Sequence, residues 1–236
     1  MGCSVVLHRR SDVVGGLLDL QRRLLWLGDA VKRAIMSASW ALLHRDAGSA
    51  RRVVQGDSDI DGLRYGLEES ALQMIARNQP FAGDLRMISA SMGVAVEPER
   101  IGDYAEGIGK IVLRSTTLSG LAIPPDLQEM SVRVREMLDQ ALRAVVERDA
   151  QAVVRMERSD DLVDRLYQRL LAELVATMQA HPERITAAIY LLWAAHDLER
   201  MADRTVNIAE RAAFIATGVL ASHRADSWNG TETGTT

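Results

Sequence analysis

At 236 residues the chain can bury one or two sizeable cores, and its 47% hydrophobic and 25% charged residues are the balance of a soluble globular protein. A net charge of −4 lacks the basic excess expected of a nucleic-acid binder. The single cysteine, Cys3, excludes an intrachain disulfide and a cysteine metal site. The longest apolar run, 187–195, is nine residues, too short to cross a bilayer, and the start MGCSVVLHRR lacks the apolar stretch of a secretory signal. A cytoplasmic location without membrane insertion is the default. Aromatic residues make up only 4%, which favours helices over sheets.

The first helix is expected from Ser11 to Leu43, with Leu17, Leu20, Leu24, Leu27, Val31, Ile35 and Leu42 at helical spacing and Ser11 or Asp12 as its cap. After a polar break at His44–Gly48, a second helix runs from Ser49 to Asn78. Pro80 ends it, because proline has no N–H to donate and restricts Gln79. A third helix follows from Asp84 to Arg114. Ser115–Pro125, with Gly120 and Pro124-Pro125, reads as a linker. The pattern then restarts: helices at 126–146, 150–179 and 184–217, with Gly218 as a C-cap. Residues 221–236 lack apolar periodicity and read as a disordered tail. The expected fold is all-α, two tandem three-helix bundles at 11–118 and 125–218, with the tail at 221–236. Trp26, Trp40 and Trp193 fall among apolar helical positions and read as core or helix-contact residues.

One acidic–basic pattern occurs twice, 100 positions apart. Glu99, Arg100, Asp103 and Ile108 recur as Glu199, Arg200, Asp203 and Ile208. Residues i and i+4 of a helix lie about 40° apart around its axis. Glu99 therefore points with Asp103, and Glu199 with Asp203. His196, Asn207 and Glu210 share the stripe of the second copy. Asp57 with Asp61 and Asp160 with Asp164 have the same spacing one helix earlier in each unit. If those helices are antiparallel neighbours, four carboxylates converge in each repeat.

Like charges at i,i+4 destabilise a helix by roughly 0.2–0.5 kcal/mol per pair unless a cation or protons neutralise them. Acidic i,i+4 pairs are also common on solvated helix faces, and Arg100 and Arg200 stand where they pair with Asp103 and Asp203. Four pairs in repeat-equivalent places favour an ion site. Carboxylates without cysteine suit divalent or trivalent cations such as Mg, Mn, Ca or Fe, with Zn at the softer end, and no organic cofactor is indicated. An enzymatic reading finds less: no P-loop, no G-x-S-x-G, no His-Glu-x-x-His, and no Glu-x-x-His of a di-iron bundle.

Asn78-Gln79-Pro80, Gly83-Asp84-Leu85-Arg86 and Glu99-Arg100-Ile101-Gly102-Asp103-Tyr104-Ala105 resemble the PhoU family of bacterial phosphate-uptake regulators. So do Asp197-Leu198-Glu199-Arg200, Ala202-Asp203-Arg204 and Asn207-Ile208-Ala209-Glu210 in the second half. The resemblance runs from Ser11 to Gly218. It implies two similar three-helix bundles and, in some members, metal held by E/D-x-x-x-D motifs. Here those are Glu99/Asp103 and Glu199/Asp203, with Asp57/Asp61 and Asp160/Asp164 as partners. It further implies a non-enzymatic adaptor, often dimeric, between the ATPase subunit of the phosphate ABC transporter and the sensor histidine kinase of the phosphate regulon, as a negative regulator. The alternative is a helical carboxylate-cluster metalloenzyme. Pro98, Gly107 and Lys110 depart from the second copy's Leu198, Asn207 and Glu210, so the second site is the stronger candidate.

Overall fold

The computed structural model describes the backbone of residues 2–114 and 121–219, and side chains from Asp12 onward. Within them lie six long helices and no strand: α1 (Gly2–His44), α2 (Ala47–Asn78), α3 (Ala82–Leu113), α4 (Pro125–Glu147), α5 (Ala152–Ala180) and α6 (Ile185–Thr217). A 3-10 turn, Pro182–Arg184, precedes α6. Most of the 115–125 linker, the 221–236 tail and Trp228 lie outside the described residues.

The boundaries follow local chemistry. Asp46 caps α2 by accepting the Gly48 N–H at 2.8 Å and the Ser49 hydroxyl at 2.6 Å. Gln79, just before Pro80, ends α2 in the left-handed region (φ 47°), and Gly218 (φ 79°) ends α6 in the same way. One expected boundary moves. α1 runs unbroken through Ser11 and Asp12 and begins at Gly2. A residue able to cap a helix starts one only where the preceding chain turns away. α3 likewise continues through a buried Pro98.

α1, α2 and α3 pack on one another, as do α4, α5 and α6. The two sets are joined where α3 lies against α6 and α1 against α4. Both junctions are antiparallel. Gly93 faces Arg211 and Gly107 faces Asp197 across α3–α6, while Lys32 meets Asp139 at 2.8 Å and Ser39 meets Ser131 at 2.5 Å across α1–α4. Buried side chains such as Leu24, Ile88, Ile108, Met130, Leu170 and Ile208 belong to one continuous core that spans both repeats. Each contributes on the order of 1.5–3 kcal/mol by burial.

The tryptophans depart from expectation. Trp26, Trp40 and Trp193 are 53%, 55% and 52% exposed. α1 is apolar on two opposite faces. The Leu20, Leu24, Leu27, Val31 and Ile35 face is buried, whereas Val14, Leu18, Leu25, Met36 and Trp40 line the outer one. Helical periodicity marks both faces and does not say which is the core.

Candidate functional site

In each repeat the second and third helices are neighbours, and this brings the four acidic pairs together as two groups. In the first, Asp57 and Asp61 on α2 meet Glu99 and Asp103 on α3. Burial pushes the Asp57 carboxyl up to about 6, helped by the charges of Glu106, Asp103 and Asp61 and opposed by Lys110. Glu99 is raised by burial and by Asp103, with Arg64 opposing, and Asp103 by burial, then Asp61 and Glu106. In the second group, burial pushes Asp160 up to about 7, assisted by Asp164, Asp203 and Glu199. Asp164 is raised by burial and then Asp203, and Glu199 by burial, Asp203 and Asp164. Burial also raises Asp203, against the lowering effects of Arg200, Arg204 and His196.

The two groups differ in their positive charges. In the first, the Arg64 guanidinium lies 3.5 Å from Glu99 and 2.6 Å from Glu68, and Lys110 pairs with Glu106. In the second, Tyr167 stands at the repeat-equivalent place of Arg64. The contacts there are weaker: Arg200 at 4.0 Å from Asp203, and the His196 ring, exposed, at 3.6 Å from Glu199. Two oxygens of the second group, Asp160 Oδ1 and Glu199 Oε2, are buried and accept no hydrogen bond. An all-oxygen donor set with orphaned buried acceptors fits a hard cation chemically. Among the described residues, however, no three His, Cys, Asp or Glu are already arranged to hold a metal ion. The carboxylates are electrostatic neighbours without forming such a set.

Arg64 and Glu106 were missed in the sequence, although each follows an acidic motif residue by one helical turn: Asp61 to Arg64 and Asp103 to Glu106. Asn207 is placed differently from its expected stripe. It donates from Nδ2 to Glu97 Oε2 at 3.3 Å, beside an Arg204–Glu97 ion pair at 3.6 Å, and so belongs to the α3–α6 seam. Gly107 takes the equivalent place on α3, and Asp197 lies against it.

A duplicated six-helix bundle with paired carboxylates along the last two helices of each repeat defines a class of all-α tandem-repeat proteins. Within that class the chain belongs to the PhoU family: the PhoU domain matches residues 24–112 and again 127–212. A phosphate-specific transport system accessory protein PhoU homolog from Pseudomonas aeruginosa is 31% identical, over 93% of this chain and 91% of that protein. One from Zymomonas mobilis is 34% identical over 88% and 86%. The crystal structure of PhoU from Pseudomonas aeruginosa superposes with a TM-score of 0.81 at 30% identity, covering 87% of this chain and 99% of that one. The phosphate transport system regulatory protein PhoU from Streptococcus pneumoniae gives 0.83 at 27% identity, covering 89% and 99%.

Proposed function

We propose that this protein is a cytoplasmic, non-enzymatic negative regulator of phosphate uptake and phosphate-regulon signalling. It acts by contact, as an adaptor between the ATPase subunit of the phosphate ABC transporter and the regulon's sensor histidine kinase, and it works as a homodimer. The observation that carries the reading is likeness over both repeats to proteins named as phosphate transport accessory or regulatory proteins. No described helix is long and apolar enough to cross a membrane, which accords with an adaptor reaching membrane partners from outside the bilayer.

In this reading the two acidic groups bind divalent or trivalent cations. Asp160, Asp164, Glu199 and Asp203 hold the stronger site, and Asp57, Asp61, Glu99 and Asp103 the weaker. A bound cation supplies the positive charge that lets the carboxylates stay ionised side by side. The orphaned oxygens of Asp160 and Glu199 support it.

Deleting the gene tests the regulatory role: expression of the phosphate regulon rises in phosphate-replete medium. Unchanged expression there counts against the reading. Metal content of protein purified without chelator tests the ion sites. Metal-free protein that takes up none when Mg, Mn, Fe or Zn is added back overturns them.

A further inference from the structure

We infer that a cavity between α1 and α2 of the first repeat binds a small phosphorylated polyol, with the phosphate at Arg33 and Arg52 and the hydroxyl groups at Asp59. The site stands apart from both acidic groups. It depends on neither the regulatory reading nor a bound cation.

The cavity is built in the sequence. α1 and α2 are neighbours joined through Arg45 and Asp46, so they run antiparallel, and residues 30–37 of α1 face residues 52–60 of α2. Ala30, Ala34 and Gly56 supply almost no side chain along that line. The space left open between the helices is about 260 Å³, room for a small metabolite. Buried Val53 and Ile60 give it an apolar floor. Packing does not demand the glycine, because a Cβ on Gly56 would meet nothing within 4 Å. Glycine inside a helix is unfavourable, and here its effect is to keep the space clear.

The walls are charged. Arg33 on α1 and Arg52 on α2 line opposite sides, with the Ser37 hydroxyl between them and the turn, and Asp59 stands about two helical turns along α2 from Arg52. None of these three charges takes part in an ion pair among the described residues. Asp29, the carboxylate one turn before Arg33, is held by Lys32 at 2.8 Å. Arg52 donates to the Ser49 hydroxyl at 2.8 Å, which leaves its remaining N–H groups for another acceptor. The acidic group is not involved. Arg52 and Asp59 lie about 140–180° round α2 from Asp57 and Asp61.

This arrangement selects the ligand. Two guanidinium groups on facing helices repel each other, and an anion between them removes that cost. Their planar forks match phosphate oxygens two bonds at a time, and a serine hydroxyl adds a further donor. Asp59 only accepts. It repels a bare phosphate but takes hydroxyl groups well. An anionic head at the arginines, a hydroxylated body reaching Asp59 and C–H groups over Val53 and Ile60 satisfy every wall at once. Inorganic phosphate satisfies only the first.

Titration calorimetry on the full-length protein tests this with glucose 6-phosphate, glycerol 3-phosphate, glucose and inorganic phosphate. The two phosphomonoesters are expected to bind with submillimolar Kd, inorganic phosphate at least tenfold more weakly, and glucose not at all. Arg33→Met and Arg52→Met are each expected to weaken glucose 6-phosphate about ten- to a hundredfold, since a charge-assisted hydrogen-bond pair is lost. Arg22→Met, which removes an exposed arginine outside the cavity, is expected to change binding less than twofold. Asp59→Ala is expected to narrow the preference for glucose 6-phosphate over inorganic phosphate about fivefold. Gly56→Met fills the cavity. It is expected to keep helicity and Tm and to abolish binding, so loss of ligand is separated from loss of fold. No binding of either phosphomonoester up to 10 mM, inorganic phosphate binding as tightly as they do, or binding unmoved by Gly56→Met each overturns the inference.

Discussion

Asp197 on α6 rests its carboxylate against Gly107 on α3, where a Cβ would stand only 2.9 Å from Oδ2. The repeat-related contact is Glu97 on α3 with Asn207 and Arg204 on α6. The same seam position is thus satisfied in one direction and left without an ion pair in the other. Burial pushes Asp197 up to about 7 from an ordinary 3.8. The folded value is raised, so the energetic penalty is absent below the ordinary value and complete once pH passes the folded one. Asp197→Asn is expected to stabilise the protein by about 2 kcal/mol at pH 8, with the gain fading toward pH 4. Arg204→Met, which strands a mostly buried Glu97, is expected to destabilise by about 2–3 kcal/mol. Urea unfolding of the variants reads both signs, and equal signs defeat the account of the seam.

Much of this was legible before the fold. The all-α class, the six helices and the turn at Pro80 followed from apolar spacing and proline chemistry. The acidic pairs followed from a repeat at fixed distance. What stayed hidden was lateral placement. Nothing local tells that Asn207 turns toward α3, or that Arg64 reaches Glu99 on another helix. Nor does the helical period decide between the two apolar faces of α1, which is why Trp40 reads as a core or helix-contact residue and stands in solvent.

The second acidic group predicts an inverted pH response. Asp160 is raised to about 7, and Asp164, Glu199 and Asp203 are raised with it, all primarily by burial. Protonation relieves each of them in the folded state. Chelator-treated protein is expected to gain stability as pH falls from 8 to 5, contrary to ordinary acid denaturation. If the group binds a cation, saturating Mn or Mg is expected to take the protons' place, to raise Tm at pH 8 and to flatten the dependence. A thermal-melt series with and without the cation measures it, and a pH response unaltered by metal removes the cation from the account.

Arg64 makes the two acidic groups unequal, and the inequality is testable. Its guanidinium lies 3.5 Å from Glu99, while Tyr167 stands at the equivalent position of the second repeat. Glu199→Ala/Asp203→Ala is expected to remove most of the bound metal, and Glu99→Ala/Asp103→Ala little. Arg64→Met is expected to strengthen cation binding at the first group by about tenfold, since one unit charge at short range in a partly screened site is worth about 1–2 kcal/mol. Titration calorimetry on the Glu199→Ala/Asp203→Ala background isolates that site. No gain on losing Arg64 means the guanidinium is not what limits it.

The close approach of the two repeats at α1–α4 depends on Gly28. A Cβ there would come within 2.1 Å of Leu142 Cδ1, and Leu142 is itself buried. Two effects oppose each other in Gly28→Ala. Alanine favours the helix by about 1 kcal/mol, and overpacking a fixed interface costs typically about 1–3 kcal/mol. With so deep an overlap the second prevails, and a net loss of about 1–2 kcal/mol is expected. Leu142→Ala alone opens a cavity and costs about 2–5 kcal/mol. Combined with Gly28→Ala, the new methyl enters the space the leucine leaves, and the double variant is expected to be more stable than the sum of the single losses by about 1 kcal/mol or more. A thermodynamic cycle of the four proteins measures that coupling, and strict additivity would show that α1 and α4 do not meet through these two residues.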